Sequence, residues 1–331
     1  MSEYTDIAGL GLLVRTYPAE VVDTAIASCG RTEQRRRLLS ARLMVYFVLA
    51  MALFSPAPYL DVMRRLTSGL RWGGLWGEEQ MPSKASIFQA RERLGSGPLN
   101  ALFRATMRPL ATAEDRDSHW RGRRLLLVEE HLLALAEGVG QTPRLHVSGL
   151  VESGTGAVLD AVWAASESAR TLLRSTEPGT VLLADGLPLD ADLASAAAAS
   201  GVDLVWRLQA VRLPFQPQRP LPDGSFLFGW RGLPLRVIAP DVVTTLLDPF
   251  AAPAAELLEL HARAAGSRGS LRDALLGAEP GTGPLASRTT DGIHQEIYGR
   301  LLVHYAMRQS MQYAHSTPIR HEQSRMPEFA R

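Results

Sequence analysis

Asp185 is the carboxylate best placed by its neighbours to do chemistry. Four apolar residues, 181–184, run into it, and Gly186 follows. That order predicts a buried strand that carries Asp185 to its C-terminal end, where glycine lets the chain turn. Working groups in open α/β sheets sit at such strand ends. The same letters also suit a plain Asp-Gly turn closing a core strand. Other chemistries are poorly supplied. Cys29 is the sole cysteine, which excludes internal disulfides and cysteine-based zinc sites. His131, His261, His294 and His304 have no paired spacing and read as packing or surface histidines.

The elements that would position Asp185 can be read in order. Residues 125–128 form a short apolar strand ending in Glu129 and Glu130. Residues 145–151 and 157–164 flank Ser153-Gly154-Thr155-Gly156, a hairpin signal. Residues 166–175 read as a helix, 181–185 as a strand, 190–199 as a helix and 202–208 as a strand. Three strands, helix, strand, helix, strand is the order of an RNase H-like α/β layer fold. In that fold the first and fourth strands are neighbours, so Glu129 would lie close to Asp185. Residues 209–250 are proline-rich with short β-like pieces, read as a β-rich insertion. Residues 254–265 begin a helix that Gly266 and Gly269 weaken by about 1 kcal/mol each relative to alanine. A long helix is predicted over 293–315, with 316–331 as a disordered tail.

The N-terminal part reads as helical. A helix with Pro18 in its first turn is predicted over 19–26. A capped basic helix is predicted from Thr32 through Arg37 into the apolar run 43–54, stopped by Ser55-Pro56-Ala57-Pro58. That run has twelve residues, short of the roughly 18 needed to span a bilayer. Residues 59–66 have helical spacing, and 70–79, with Trp72 and Trp76, read as a loop. Ser83 is the expected cap of a helix over 87–94 whose exposed face would hold Gln89, Arg91, Glu92 and Arg93. A break at 95–98 precedes a helix over 99–110. This predicts an all-α N-terminal domain at 1–112, a linker at 113–124 and an α/β domain at 125–315.

Charge divides along the same line. Residues 31–108 carry thirteen Lys/Arg against five Asp/Glu, while 125–203 carry three against eleven, although the whole chain is only +1. A basic half joined to an acidic half suggests a polyanion-binding module beside a carboxylate-rich one. Helices with tight breaks are compatible with a helix-turn-helix reader of DNA. Lys84, Gln89, Arg91 and Arg93 would then face bases, with Arg35, Arg36 and Arg37 on phosphates. The N-terminus has no basic region followed by an apolar one, so no secretory signal is expected; the lone cysteine fits a cytoplasmic location, nucleoid-associated if the chain binds DNA.

The chain resembles insertion-sequence-4 family transposases of the actinobacterial type. The resemblance rests on residues 31–39, 45–50, 82–95, 181–185, 244–249 and 295–306. It implies an RNase H-like fold whose three carboxylates hold two Mg²⁺ ions for phosphodiester cleavage and strand transfer. It also implies duplex DNA at transposon ends as partner, allows a homodimer and calls for no membrane. Carried over position by position, the first acid falls on Glu129, one methylene longer than the family's aspartate. Misplacement on that scale can cost on the order of 10²-fold. The second falls on Asp185. The third lies in the family pattern tyrosine, arginine, glutamate, lysine, which falls here on His261, Ala264, Arg268 and Leu275. A metal-binding glutamate has thus become a cation. Glu256, Glu259 or Asp273 could substitute only through a local shift. The expectation is a transposase homologue with a degraded site. The alternatives are an active enzyme with a rearranged acidic triad, or an interaction remnant that does not bind DNA.

Overall fold

The computed structural model describes residues 3–33, 35, 37–72, 81–135, 144–163, 169–187, 191–208, 218–239, 241–277 and 285–316. Six helices come first: α1 (Glu3–Thr16), α2 (Ala19–Ser28), α3 (Ala41–Leu53), α4 (Tyr59–Trp72), α5 (Lys84–Leu94) and α6 (Gly97–Thr106). Strands β1 (His119–Trp120), β2 (Arg123–Ala134), β3 (Arg144–Glu152) and β4 (Val158–Val162) follow. After a 3-10 turn over Ala169–Ser175 come β5 (Val181–Asp185), α7 (Ala191–Ala199) and β6 (Asp203–Arg207). Then β7 (Arg219–Pro220), β8 (Phe226–Trp230), β9 (Leu233–Ala239) and β10 (Val242–Thr244) extend the sheet. Helices α8 (Ala254–Arg263), α9 (Ser270–Leu276) and α10 (Thr290–Ser316) close the chain.

The described strands form one mixed sheet in the order β4-β3-β2-β5-β6-β10-β9-β8-β7, with β1 paired to β2. β2, β5 and β6 run parallel; the other pairings are antiparallel. Residues 181–184 of β5 are all buried, as an unbroken apolar run requires when both faces of a strand are covered. The fold is therefore mixed α/β.

Helix α10 ties the first six helices to the sheet. Its Ile297, Leu301, Leu302 and Ala306 are buried in a core that runs unbroken from Leu10 to Ala306. The Tyr17 hydroxyl donates to the Leu302 carbonyl at 2.7 Å, and Tyr305 donates to the Arg108 carbonyl at 3.0 Å. Gly299 permits the close approach of α3, since a Cβ there would lie 3.1 Å from the carbonyl oxygen of Val48.

Several elements differ from the sequence reading. Residues 31–33 and 37–40 are not helical, and Ser40, whose Oγ accepts from the Leu43 amide, starts α3 instead. Gln34 and Arg36 lie outside the described residues. Pro18 is the N-cap of α2 rather than part of its first turn. Helix α4 continues to Trp72; Trp76 lies outside the described residues. Gly95, at φ 67°, ends α5, and α6 begins at once with Pro98 in its first turn. Strand β2 does not end at Glu129 but continues to Ala134, because β3 pairs with it along that length. Residues 169–175 of the segment read as a helix form a tighter 3-10 turn, and its start lies outside the described residues, as do residues 317–331. Residues 119–120 and 123–124, inside the expected linker, are strand.

Candidate functional site

The parallel register of β2 and β5 sets Val128 beside Ala184. Glu129 and Asp185 therefore follow side by side. Gly186, at φ 73°, turns the chain after Asp185 and donates its amide to the Arg207 carbonyl at 2.8 Å. Together with His261, Arg268 and Arg272, the two acids line a cavity of about 290 Å³.

Each acid is already engaged. The Glu129 side chain reaches helix α9 and accepts the Gly269 amide on Oε1 at 2.8 Å and the Leu271 amide on Oε2 at 2.9 Å. These are unpaired donors at a helix start that has no side-chain cap of its own. Burial holds the Glu129 carboxyl above its ordinary pKa, against the opposing pull of those two amides. Asp185 faces cations. Arg268 Nη2 stands 3.0 Å from its Oδ2, and Arg207 Nη1 stands 4.0 Å from the same oxygen. Arg268 also donates to the His261 carbonyl at 2.9 Å, which fixes its guanidinium between α8 and β5.

His261 is buried, and its Nε2 has no hydrogen-bond partner among the described residues. Burial first, then the nearby Arg207 guanidinium, push its pKa down to about 4. The other histidines pack. His294 stands edge-on to Trp163 with ring centres 5.6 Å apart, and burial lowers its pKa. His304 Nε2 contacts the Gly156 carbonyl at 3.0 Å. His131 lines the cavity half-buried, with its pKa lowered by burial.

The other acids are held elsewhere. Arg121 and Trp120 Nε1 bind Glu256, and these bonds lower its pKa. Glu259 is exposed, and Asp273 pairs with Arg272 at 3.0 Å. None of the three lines the Asp185 cavity. Among the described residues, no group of three His, Cys, Asp or Glu side chains could hold a metal ion.

On the N-terminal side, Arg35, Arg37, Lys84, Gln89 and Arg93 are exposed. Arg91 is not on the exposed face expected for it. Its side chain turns inward and is 5% exposed. It donates to Gln295 Oε1 at 2.9 Å, to Ser287 Oγ at 3.3 Å and to the Tyr59 hydroxyl, lying over the Tyr59 ring. It pins α5 to the start of α10. Arg36 lies outside the described residues.

Sequence reasoning missed Arg207 and the capping role of Glu129. Arg207 had a signal: in a parallel pair of equal strands, β6 must set a residue beside Asp185, and that residue is Arg207. Gly269, at φ 81°, starts α9 without a local cap, which hinted at a remote one.

Residues 7–104 match the family described as insertion element 4 transposase N-terminal. A curated relative, the transposase InsG for insertion sequence element IS4 of Escherichia coli (strain K12), is 28% identical over 110 residues. The match spans 33% of this chain and 24% of the relative, so the chain covers about a quarter of the relative's length. A cryo-EM structure of the piggyBac transposase synaptic complex with hairpin DNA superposes at TM-score 0.47 with 13% identity, over 93% of this chain and 76% of that chain.

Proposed function

We propose that this chain, which belongs through its N-terminal third to the insertion-sequence-4 family of transposases, is a transposase homologue that holds duplex DNA without cutting it by two-metal chemistry. One observation carries the second half: a guanidinium stands 3.0 Å from Asp185, where a divalent cation would have to bind. Two-metal cleavage needs ions about 3.5–4 Å apart, held by carboxylate oxygens. The residues present do not fit that demand. Both Glu129 oxygens accept backbone amides, Asp185 is paired with Arg268, and the one further acid among the lining residues, Glu130, has its carboxylate on His146 Nε2 at 3.1 Å and Ser148 Oγ at 3.4 Å. A cation brought to Asp185 would also have to displace or tolerate Arg268 at close range, which is repulsive.

The sheet order β4-β3-β2-β5-β6, with β2, β5 and β6 parallel, supports reading residues 125–315 as an RNase H-like core with a β-rich insertion at 209–250. Residues 1–112 supply the DNA-holding part. Exposed Arg35, Arg37, Lys84, Gln89 and Arg93 favour this, as does the basic charge of residues 31–108. Transposon ends are the natural target, and a cytoplasmic, nucleoid-associated location follows.

Purified full chain should shift duplex DNA in a gel with a steep loss of affinity as salt rises, in Mg²⁺ and in EDTA alike. It should leave supercoiled plasmid unnicked in Mg²⁺ or Mn²⁺. Nicking abolished by Asp185→Asn would establish the rearranged active enzyme instead. Absence of any shift at low salt would favour the interaction remnant.

A further inference from the structure

We infer that a cavity between residues 30–33, 35, 37 and 41 on one side and α5 on the other is a seat for one phosphate-class oxyanion, with Glu33 as the internal anion that the ligand displaces. The cavity has a volume of about 420 Å³. Arg31, Arg35, Arg37 and Arg93 line it, and Glu33 is the sole carboxylate among the lining residues.

The contacts of Glu33 show what the four arginines are arranged around. Its Oε1 lies 3.7 Å from Arg37 and 3.7 Å from Arg93, longer than a direct hydrogen bond. Its Oε2 accepts the Ala41 amide at 3.3 Å, at the first turn of α3. One carboxylate thus stands at a helix start between two guanidiniums and holds neither tightly. Arg31 and Arg35 have no carboxylate partner among the described residues. Arg31 is directed toward α5 by its bond to the Arg93 carbonyl at 3.2 Å. Four fixed positive charges against one negative leave a local excess that a phosphate dianion or a phosphodiester would neutralise. Guanidinium forks suit its tetrahedral oxygens, and the amides and dipole of α3 add to the attraction.

Two sources could supply this chemistry: a duplex backbone or free phosphate. The duplex arm of the test rests on the proposed DNA-holding function; the free-phosphate arm does not. Full chain is titrated with a short duplex across a salt series and, separately, with inorganic pyrophosphate at low salt while its melting temperature is followed. The variants are Arg35→Gln with Arg37→Gln, chosen because neither side chain holds another element in place, and Glu33→Gln.

The duplex affinity of the double variant should have a salt slope shallower by about 0.9 for each phosphate it no longer neutralises. Glu33→Gln should bind duplex several-fold more tightly. Pyrophosphate should raise the melting temperature of the wild type and not that of the double variant. A wild type that binds duplex with affinity and slope unchanged in both variants overturns the seat and leaves the DNA-holding reading intact. A wild type that binds no duplex overturns that reading, and pyrophosphate then decides the seat alone: a shift abolished by the double variant supports it, and no shift overturns it.

Discussion

Around Asp185, each cation faces an acid: Arg268 meets Asp185 at 3.0 Å, Arg272 meets Asp273 at 3.0 Å, and Arg207 lies 4.0 Å from Asp185 and 3.6 Å from Asp241. Around Glu33, four arginines line one cavity with a single carboxylate, which only Arg37 and Arg93 approach. The residue type is the same and the consequence is opposite. Where guanidiniums and acids are matched, as at Asp185, the acid already has a cationic partner, and on the proposed function that partner stands in for a metal ion. Where arginines outnumber acids, the surplus charge is left for an anion. The number of carboxylates within reach, and not the number of arginines, decides which of the two a cavity becomes.

The sharpest test of that contrast uses two residues on one helix. Arg91 is buried and hydrogen-bonded to three side chains, while Arg93 is exposed beside Glu33. Arg91→Met should cost about 3 kcal/mol in chemical denaturation, because it leaves buried partners unpaired. DNA affinity of the folded fraction should be unchanged. Arg93→Met should do the reverse, weakening DNA binding at little cost in stability. Equal stability losses would mean that burial does not separate their roles.

Glu129 probes the matched side. Glu129→Ala leaves the Gly269 and Leu271 amides at the start of α9 without an acceptor. It should cost about 2 kcal/mol and raise amide exchange selectively in residues 269–276. Uniform exchange across the chain would show that Glu129 is not the cap of that helix.

His261 has a smaller effect with a definite sign. Its pKa is pushed down to about 4 in the folded chain, against an ordinary 6.5. The unfolded chain therefore binds the extra proton between those values. The stability from the neutral form is complete above pH 6.5 and is lost as pH falls toward 4. His304, also pushed down to about 4, acts in the same window. His261→Gln should reduce the slope of stability against pH there by up to about 1.4 kcal/mol per unit. An unchanged slope would show that His261 charges as readily in the folded chain as in the unfolded one.

What the sequence made legible follows the range of the interactions. The strand into Asp185 and the cap at Ser83 are local patterns, and both are present as read. The neighbouring of Glu129 and Asp185 came from element order, which fixes which strands pair. Glu129 as the cap of α9 joins residues 140 positions apart, and no periodicity within either segment carries that. Arg91 looked exposed because its neighbours are polar. It turns inward because Gln295 and Ser287, about 200 residues later, offer it acceptors. The basic stretch from Thr32 through Arg37 has the letters of a helix start. Ser40 supplies a better cap nearer the apolar run.

The central claim is that Arg268 stands where a metal ion would have to bind. Mn²⁺ titration of the full chain followed by electron paramagnetic resonance tests it directly, in wild type and in Asp185→Asn. The expected result is identical Mn²⁺ binding by the two proteins, with no site that depends on Asp185. A Mn²⁺ site present in the wild type and lost in Asp185→Asn would contradict it.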